Sequence, residues 1–242
     1  MNQQLHPLDD YHSEHKRNTR KAVRALVTRP VIKTLLKTKV EGKENAADLS
    51  GAFVVVGNHS SHLDAPMVFS LLPGNVTANL ATGAAADYFY RRKAISKLTS
   101  LFFNTYPVER PGKKTKKTGA AVGMTGRLLR DGIPILLFPE GTRSRDGKLG
   151  PFKPGAAALA IKFDLPVLPL AMTGGGEAMP VGASFPKLNH PEVAMYIGKP
   201  MRARSGETAE EFTARIRSQI QAMLTEETAN PRCDETETDG AE

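Results

Sequence analysis

The chain has 242 residues, of which 40% are apolar, and its formal net charge is +8. This composition is that of a folded protein and excludes a collagen-like or wholly disordered chain. A single cysteine, Cys233, excludes an intramolecular disulfide and a multi-cysteine metal site, and it fits a reducing compartment.

Neither a secretory signal nor a membrane span is expected. Residues 1–10 have no basic stretch that leads into an apolar run. No apolar run reaches the ~18 residues that a spanning helix needs. We therefore expect a chain that does not cross a membrane, although it can lie on one.

Residues 1–45 predict basic amphipathic helices. Residues 16–39 contain nine Lys or Arg and no acid. The apolar residues among them recur mostly at three- and four-residue spacing: Val23, Leu26, Val27, Val31, Leu35 and Leu36. Pro30 divides this pattern, which predicts two short helices. The apolar stripe fits either an interfacial helix on anionic lipid or a helix packed on the domain's own core.

Residues 46–225 alternate β-rich runs with helix-length segments, which predicts one α/β domain with a mixed sheet covered by helices. The expected strands are Phe53–Gly57, Val76–Ala81, Thr105–Val108, Ile133–Phe138, Pro166–Leu170 and Val193–Ile197. The expected helices are Ala65–Leu72, Ile95–Phe103, Lys116–Leu129, Gly155–Phe163 and Glu207–Leu224. Residues 226–242 hold seven acids and one base, which predicts a disordered acidic tail.

The first strand of this domain leads into a polar loop, residues 58–64 (NHSSHLD). A tight turn can bring the Asp64 carboxylate to one nitrogen of His59, which leaves the other nitrogen free to take a proton. Asp64 also precedes Ala65 and Pro66, so the alternative is that it caps the next helix.

The strand Ile133–Phe138 leads directly into residues 139–145 (PEGTRSR). Backbone N–H groups, hydroxyls and two guanidinium groups at one strand end are suited to hold a phosphate or a carboxylate. The spacing is not that of a Walker loop. The alternative is an exposed turn around Asp146.

Two further blocks carry weaker signals. The strand Thr105–Val108 is followed by Arg110 and a Pro-Gly turn. At this position Arg110 can be either an ordinary surface residue or a functional one. Pro166 and Pro169 place the strand that holds them at a sheet edge or in a special loop.

Taken in order, the four blocks resemble the glycerolipid acyltransferase family, best known from the 1-acyl-sn-glycerol-3-phosphate acyltransferases. The family pattern H-x-x-x-x-D matches His59 and Asp64, its Arg after a strand matches Arg110, its F-P-E-G-T-R-S matches residues 138–144, and its V-P-V-x-P-like strand matches residues 165–169. The resemblance covers roughly residues 50–200 of the chain.

The resemblance implies transfer of a fatty acyl group from acyl-CoA or acyl carrier protein to the free hydroxyl of a lysophospholipid. It implies that His59 is the general base, that Asp64 orients it, and that no covalent acyl-enzyme forms. The residues implied to bind the acceptor's phosphate and glycerol oxygens are Arg110, Gly141, Thr142 and Arg143, with Glu140 ordering their loop. It implies no metal, no cofactor beyond the thioester co-substrate, and a cytoplasmic enzyme peripheral on anionic lipids at the inner face of the cell membrane.

One departure from the family leaves the head group open. Residues 80–89 lack the Lys that many relatives carry in an A-K-x-E-L-like run. The alternatives are an acyltransferase of the same fold with another lipid or glycolipid acceptor, or a non-catalytic basic protein of lipid surfaces. Nucleic acid is not an expected partner, because the chain has no Trp and only 6% aromatic residues.

Overall fold

A computed structural model of the chain describes residues 11, 13–85, 103–108, 118–144, 146–183 and 185–229. The strands are β1 (Lys37–Glu41), β2 (Val54–Gly57), β3 (Ala81–Ala85), β4 (Thr105–Val108), β5 (Ile135–Leu137), β6 (Val167–Thr173) and β7 (Glu192–Ile197). The helices are α1 (Glu14–Val23), α2 (Arg29–Leu35), α3 (Asp64–Leu71), α4 (Gly74–Thr77), α5 (Thr118–Arg130), α6 (Gly155–Lys162), α7 (Gly175–Ala178) and α8 (Ala209–Ala229). A π-helical turn (Arg24–Thr28) joins α1 to α2, and a 3-10 turn (Lys43–Ala46) follows β1.

The strands form one mixed sheet in the order β1-β7-β6-β2-β5-β3-β4, which confirms the predicted fold class. β2 lies between β6 and β5 and is parallel to both. β3 and β4 continue the parallel part, whereas β7 is antiparallel to β6 and pairs with β1. Because β6, β2 and β5 are parallel neighbours, the loops that follow them emerge at one edge of the sheet.

Helices cover both faces of the sheet over two apolar layers. Alternate residues of β2 divide between these layers, since Val55 faces one and Val54 and Val56 face the other. Residues of α2 and α3 contribute to the first layer, and residues of α5, α6 and α8 contribute to the second. Within the described ranges, no helix combines the length and the apolar character that crossing a bilayer needs.

The N-terminal segment is one continuous helical run, not the two separate helices predicted at Pro30. The N–H of Arg29 bonds to the carbonyl of Arg24, five positions earlier, so the turn before Pro30 is widened. This π-helical turn accommodates a proline, which has no N–H to donate and whose ring crowds the preceding turn.

Arginines, rather than the predicted apolar stripe, hold much of this helix against the domain. Arg24 is buried, donates to the carbonyl of Thr77 and lies 4.9 Å above the Phe69 ring. Burial lowers its pKa to about 10. Arg29 donates to the carbonyls of Ser70 and Leu72 at the end of α3, at 2.8 and 3.3 Å. Such carbonyls have no partner within their own helix, and a cation there is favourable.

The apolar stripe itself divides between the core and the surface. Ile32 and Leu36 are buried in the first apolar layer. Leu26, Val27 and Val31 are exposed by 77%, 46% and 47%. The packing interpretation therefore holds for Ile32 and Leu36, and the interfacial interpretation stays a prediction for the exposed residues.

Residues 37–41 belong to the segment predicted to be helical, but they form β1, which pairs with β7 in the sheet. β1 is an edge strand, and its pattern Lys37-Thr38-Lys39-Val40-Glu41 places charges at alternate positions. Charged side chains on an edge strand oppose unwanted pairing with another chain. The period of two was the missed signal.

Two other strands differ from expectation. Val76 lies in α4, since Pro73 and Gly74 begin a short helical turn, and β3 starts only at Ala81. β6 is an interior strand although it contains Pro169, and Pro166 lies just before it. Pro169 lies opposite Gly198, just beyond the end of β7, and its carbonyl accepts from the N–H of Gly198 at 2.9 Å, so the proline lacks only the bond that its own nitrogen would donate.

The remaining helices agree with the predicted α/β alternation. α8 begins at a capping box, in which Thr208 Oγ1 accepts from the N–H of Glu211, and Glu211 Oε2 accepts from the N–H of Thr208. This helix continues to Ala229, into the predicted acidic tail. The predicted helix Ile95–Phe103 lies outside the described residues, except for Phe103.

We expect Gly42→Ala to destabilise the fold more than Gly206→Ala. Both glycines have φ of +74°, so each substitution places alanine in the left-handed region at a cost of about 1 kcal/mol. A Cβ at Gly42 would also overlap the carbonyl oxygen of Ile197, whereas a Cβ at Gly206 meets open space. Urea unfolding should therefore give an additional loss of ~1–3 kcal/mol for Gly42→Ala. Equal losses for the two variants would contradict this account.

Candidate active site

His59 and Asp64 meet at the edge of the sheet where β2 ends. His59 Nδ1 lies 2.7 Å from Asp64 Oδ2, the contact that the sequence predicts. The His59 side chain is 22% exposed, and its Nε2 has no hydrogen-bond partner among the described residues. An imidazole with one nitrogen on a carboxylate and the other open can accept a proton from a bound molecule.

The Asp64 carboxylate is fully buried and organises the loop of residues 58–64, which we call the histidine loop. Besides the His59 ring, Asp64 Oδ2 accepts from the backbone N–H groups of Ser60 and Ser61, at 2.6 and 2.8 Å. Leu63 is the N-cap of α3, and its side chain forms no capping bond. Asp64 is the first residue of α3 and binds backward into the histidine loop, so the helix-cap alternative for Asp64 is wrong.

Glu140 joins the histidine loop to residues 138–144, which we call the arginine loop. Glu140 is buried, its Oε1 accepts from the N–H of His59 at 2.7 Å, and its Oε2 accepts from the N–H of Gly150 at 3.0 Å. The N–H of Ser144, in the arginine loop, donates a hydrogen bond of 2.8 Å to the carbonyl of His59. Glu140, a residue of the arginine loop, thus binds the backbone of the histidine loop at His59 and the backbone of Gly150.

The Phe138 ring packs against the face of the His59 imidazole. Its ring stacks on that of His59, with centroids 4.4 Å apart and an interplanar angle of 15°. The sequence places Phe138 within the matched pattern but gives no sign of this contact, which depends on β2 and β5 being neighbours. The carboxylate and the ring together fix the orientation of His59.

The arginine loop concentrates positive charge beside the pair. Arg143 is half-buried, and its buried Nη1 has no hydrogen-bond partner among the described residues. Gly141 and Thr142 are exposed, and a Cβ on Gly141 would lie 2.8 Å from Lys153 Nζ. Lys153, which sequence reasoning missed, therefore adds a second cation to this loop.

His62 adds no charge to this site at neutral pH. Desolvation lowers its pKa, and the positive charge of Arg143 lowers it further. Among the residues that the structure describes, Arg143 and Lys153 supply positive charge to the arginine loop, which suits an anionic group on a bound molecule.

A run of three glycines after β6, residues 174–176, packs against the histidine loop. A Cβ on Gly175 would lie 2.9 Å from Asp64 Oδ1, and 3.4 Å from both Ser60 Oγ and Ser61 Cβ. Only a residue without a side chain allows this approach. The run Gly174-Gly175-Gly176 is visible in the sequence, but its purpose depends on β6 lying beside β2.

Arg110 lies outside the described residues, so its predicted role stays a prediction. β4, which precedes it, is parallel to β3 and therefore ends at the same edge of the sheet as β2 and β5. The structure brings His59, Asp64, Glu140 and Arg143 together, and the chemical roles of these residues are addressed below.

Comparison with known proteins gives the same family as the motifs. A family model described as acyltransferase matches residues 37–173. The chloroplastic 1-acyl-sn-glycerol-3-phosphate acyltransferase BAT2 of Brassica napus is 33% identical over 165 residues, 68% of this chain and 45% of that protein. The chloroplastic LPAT1 of Arabidopsis thaliana, with the same description, is 31% identical over 189 residues, 76% of this chain and 48% of that protein.

The chain thus spans about half the length of the curated relatives that it matches. Its fold is similar to the crystal structure of the 1-acyl-sn-glycerophosphate (LPA) acyltransferase PlsC from Thermotoga maritima, with a TM-score of 0.65 and 23% identity. That match covers 87% of this chain and 81% of PlsC. Since the family model matches more than half of the chain, the resemblance is confirmed, and this protein belongs to the acyltransferase family.

Proposed function

We propose that this protein transfers a fatty acyl group from an acyl thioester to the free hydroxyl of a lysophospholipid, converting 1-acylglycerol-3-phosphate to phosphatidate. The observation that carries the proposal is the 2.7 Å contact between His59 Nδ1 and Asp64 Oδ2, beside a loop with an unpaired Arg143 nitrogen. The activities named for the relatives from Brassica napus and Arabidopsis thaliana support the same substrate class.

In the proposed reaction, His59 Nε2 takes the proton of the acceptor hydroxyl as its oxygen attacks the thioester carbonyl. Asp64 holds the Nδ1–H and stabilises the imidazolium that forms. The tetrahedral intermediate then expels the thiolate, which receives the proton from His59. An ester forms, a thioester breaks, and no acyl-enzyme is needed.

Arg143 and Lys153 are proposed to hold the acceptor's phosphate, with Gly141 and Thr142 near its glycerol oxygens. A guanidinium with a buried, unpaired Nη1 gains a charge-assisted partner when a phosphate binds. Arg110 is proposed to join them. Holding the hydroxyl near Nε2 converts a collision between two molecules into a reaction within one complex.

The donor is proposed to be acyl-CoA or the acyl thioester of acyl carrier protein, and the enzyme is proposed to act as a peripheral protein on the inner face of the cell membrane. An assay of the purified protein against a panel of lysolipids, with each donor in turn, tests the function. Thioester consumption that depends on 1-acylglycerol-3-phosphate supports it. If none of the lysolipids in the panel supports thioester consumption, the proposal is overturned, and a non-catalytic lipid-surface protein is favoured.

We expect His59→Ala and Asp64→Asn each to lower kcat by ~10²–10⁴-fold, because both remove general-base catalysis. The KM for the acceptor should change little in Asp64→Asn, since Asp64 is not proposed to touch the acceptor. Asp164→Asn is the matched control, because the Asp164 side chain is 95% exposed. A raised KM with normal kcat in Asp64→Asn would refute the assigned role. Thermal unfolding of each variant verifies that the fold is intact.

We expect Arg143→Ala to weaken acylation of phosphate-bearing acceptors by roughly tenfold to hundredfold, and of uncharged monoacylglycerol much less. The measurement is kcat/KM for both acceptors. Arg127→Ala, an exposed position on α5, is the matched control. Equal losses of kcat/KM for both acceptors would contradict phosphate binding by Arg143 and favour the glycolipid alternative. The missing Lys in residues 80–89 leaves that alternative open.

The exposed apolar residues of the N-terminal helix are proposed to rest in a bilayer. Leu26, Val27 and Val31 are exposed beside exposed cations such as Lys33, the arrangement of an interfacial helix. Replacing the three apolar residues by serine should lower affinity for anionic vesicles by ~10-fold or more in cosedimentation. Ile161→Ser, an exposed apolar residue of α6, is the control. Unchanged partitioning of the triple variant would exclude this docking role.

A further inference from the structure

A second group of exposed apolar side chains lies in residues 179–190, which we call the apolar loop. Phe185 is 81% exposed, Leu188 is 78% exposed and Val181 is 45% exposed. Among the described residues, the other large exposed apolar side chains are Ile161 and the three of the N-terminal helix. Single exposed apolar residues are ordinary, whereas a cluster within one short loop indicates an interaction surface.

The base of the apolar loop is fixed to the domain and to the histidine loop. The N–H of Lys187 bonds to the carbonyl of Ala178 at 2.8 Å, which closes the loop at its base. Met179 is buried in the first apolar layer, and its carbonyl accepts from Ser61 Oγ at 2.9 Å. Ser61 in turn donates its N–H to Asp64. The base of the apolar loop therefore contacts the histidine loop of the candidate active site.

The charge of the apolar loop indicates what covers it. Between Glu177 and Glu192 the chain has one Lys, Lys187, and one His, His190, and no carboxylate. Apolar side chains next to a cation are suited to the boundary between acyl chains and anionic lipid head groups.

The apolar loop also lies on the side of the sheet that carries the N-terminal helix. Ile32 and Leu36 of the helical segment, and Met179 and Ala183 of the apolar loop, pack into the same apolar layer. The two exposed apolar surfaces thus belong to one covering layer of the domain. A bilayer surface on that side of the sheet is therefore the partner that we consider for both.

We infer that the apolar loop inserts Phe185 and Leu188 into an anionic bilayer beside His59. It is a second anchor, separate from the N-terminal helix, and it lets an acceptor reach the site from the interface. This last role rests on the proposed function, whereas insertion itself does not require catalysis.

The absence of tryptophan from the chain provides a direct test. Phe185→Trp introduces one reporter into the full-length protein, and Ile161→Trp introduces one on α6, which covers the other face of the sheet. Vesicles of phosphatidylcholine with phosphatidylglycerol should shift the Phe185→Trp emission to the blue, and brominated lipid should quench it. Ile161→Trp should show neither effect.

A second measurement uses binding alone. Phe185→Ser combined with Leu188→Ser should lower affinity for the same vesicles by ~10-fold or more, and Ile161→Ser should not. An unshifted Phe185→Trp emission, or an equal loss in Ile161→Ser, would overturn the inference. A blue shift without lipid, on raising the protein concentration or on adding acyl carrier protein, would overturn it in favour of a protein partner.

The vesicles contain no acceptor, so failure of the inference and failure of the proposed function are distinguishable. If the loop inserts into vesicles but no acyl transfer is measured, the membrane anchor is supported and the proposed acyltransferase activity is rejected. If the double variant lowers acyl transfer to vesicle-bound acceptors and to soluble short-chain acceptors by the same extent, the apolar loop is not a membrane anchor. The proposed acyltransferase activity is retained in that case.

Discussion

The carboxylate of Asp64 has no exposed surface, and a buried charge is stable only where donors replace the water that it has lost. Three N–H groups meet one of its oxygens: the backbone of Ser60, the backbone of Ser61 and the ring of His59. The histidine loop is therefore folded around this charge. The contact that orients the imidazole and the contacts that hold the loop are the same contacts, so the geometry of the site and its local stability depend on one carboxylate.

Parallel strands on both sides of β2 make this arrangement possible. The loop after β5 supplies Glu140, which binds the backbone of His59, and Phe138, which stacks on its ring. The loop after β6 supplies Gly175, whose missing side chain leaves room for Asp64 Oδ1. Three segments distant in sequence thus enclose one histidine because their strands are neighbours. A sheet with a different strand order would keep every motif and lose the site.

This dependence explains what the sequence could predict. His59 and Asp64 are close in the chain, so a local turn was enough to predict their contact. The contact of Glu140 with His59 depends on strand order, which no local pattern encodes. Pro169 was misjudged for the same reason, because only the strand order shows that β6 is interior and that Pro169 lies opposite Gly198, just beyond the end of β7. β1 was missed because a short charged edge strand resembles the basic helix before it.

Part of the N-terminal helix departs from the usual distribution of side chains, although Ile32 and Leu36 are buried as usual. A helix that packs on a soluble domain turns its apolar residues inward and its cations outward. Here Arg24 is buried over Phe69 and Arg29 binds the carbonyls at the end of α3, whereas Leu26 is 77% exposed. Burying a guanidinium costs free energy that burying a leucine would not. That cost has a physical rationale if the outward face is itself covered by an apolar phase. In that case the exposed residues of the N-terminal helix and of the apolar loop, residues 179–190, would face the same apolar phase, and an acceptor held in a bilayer would meet His59 at its surface.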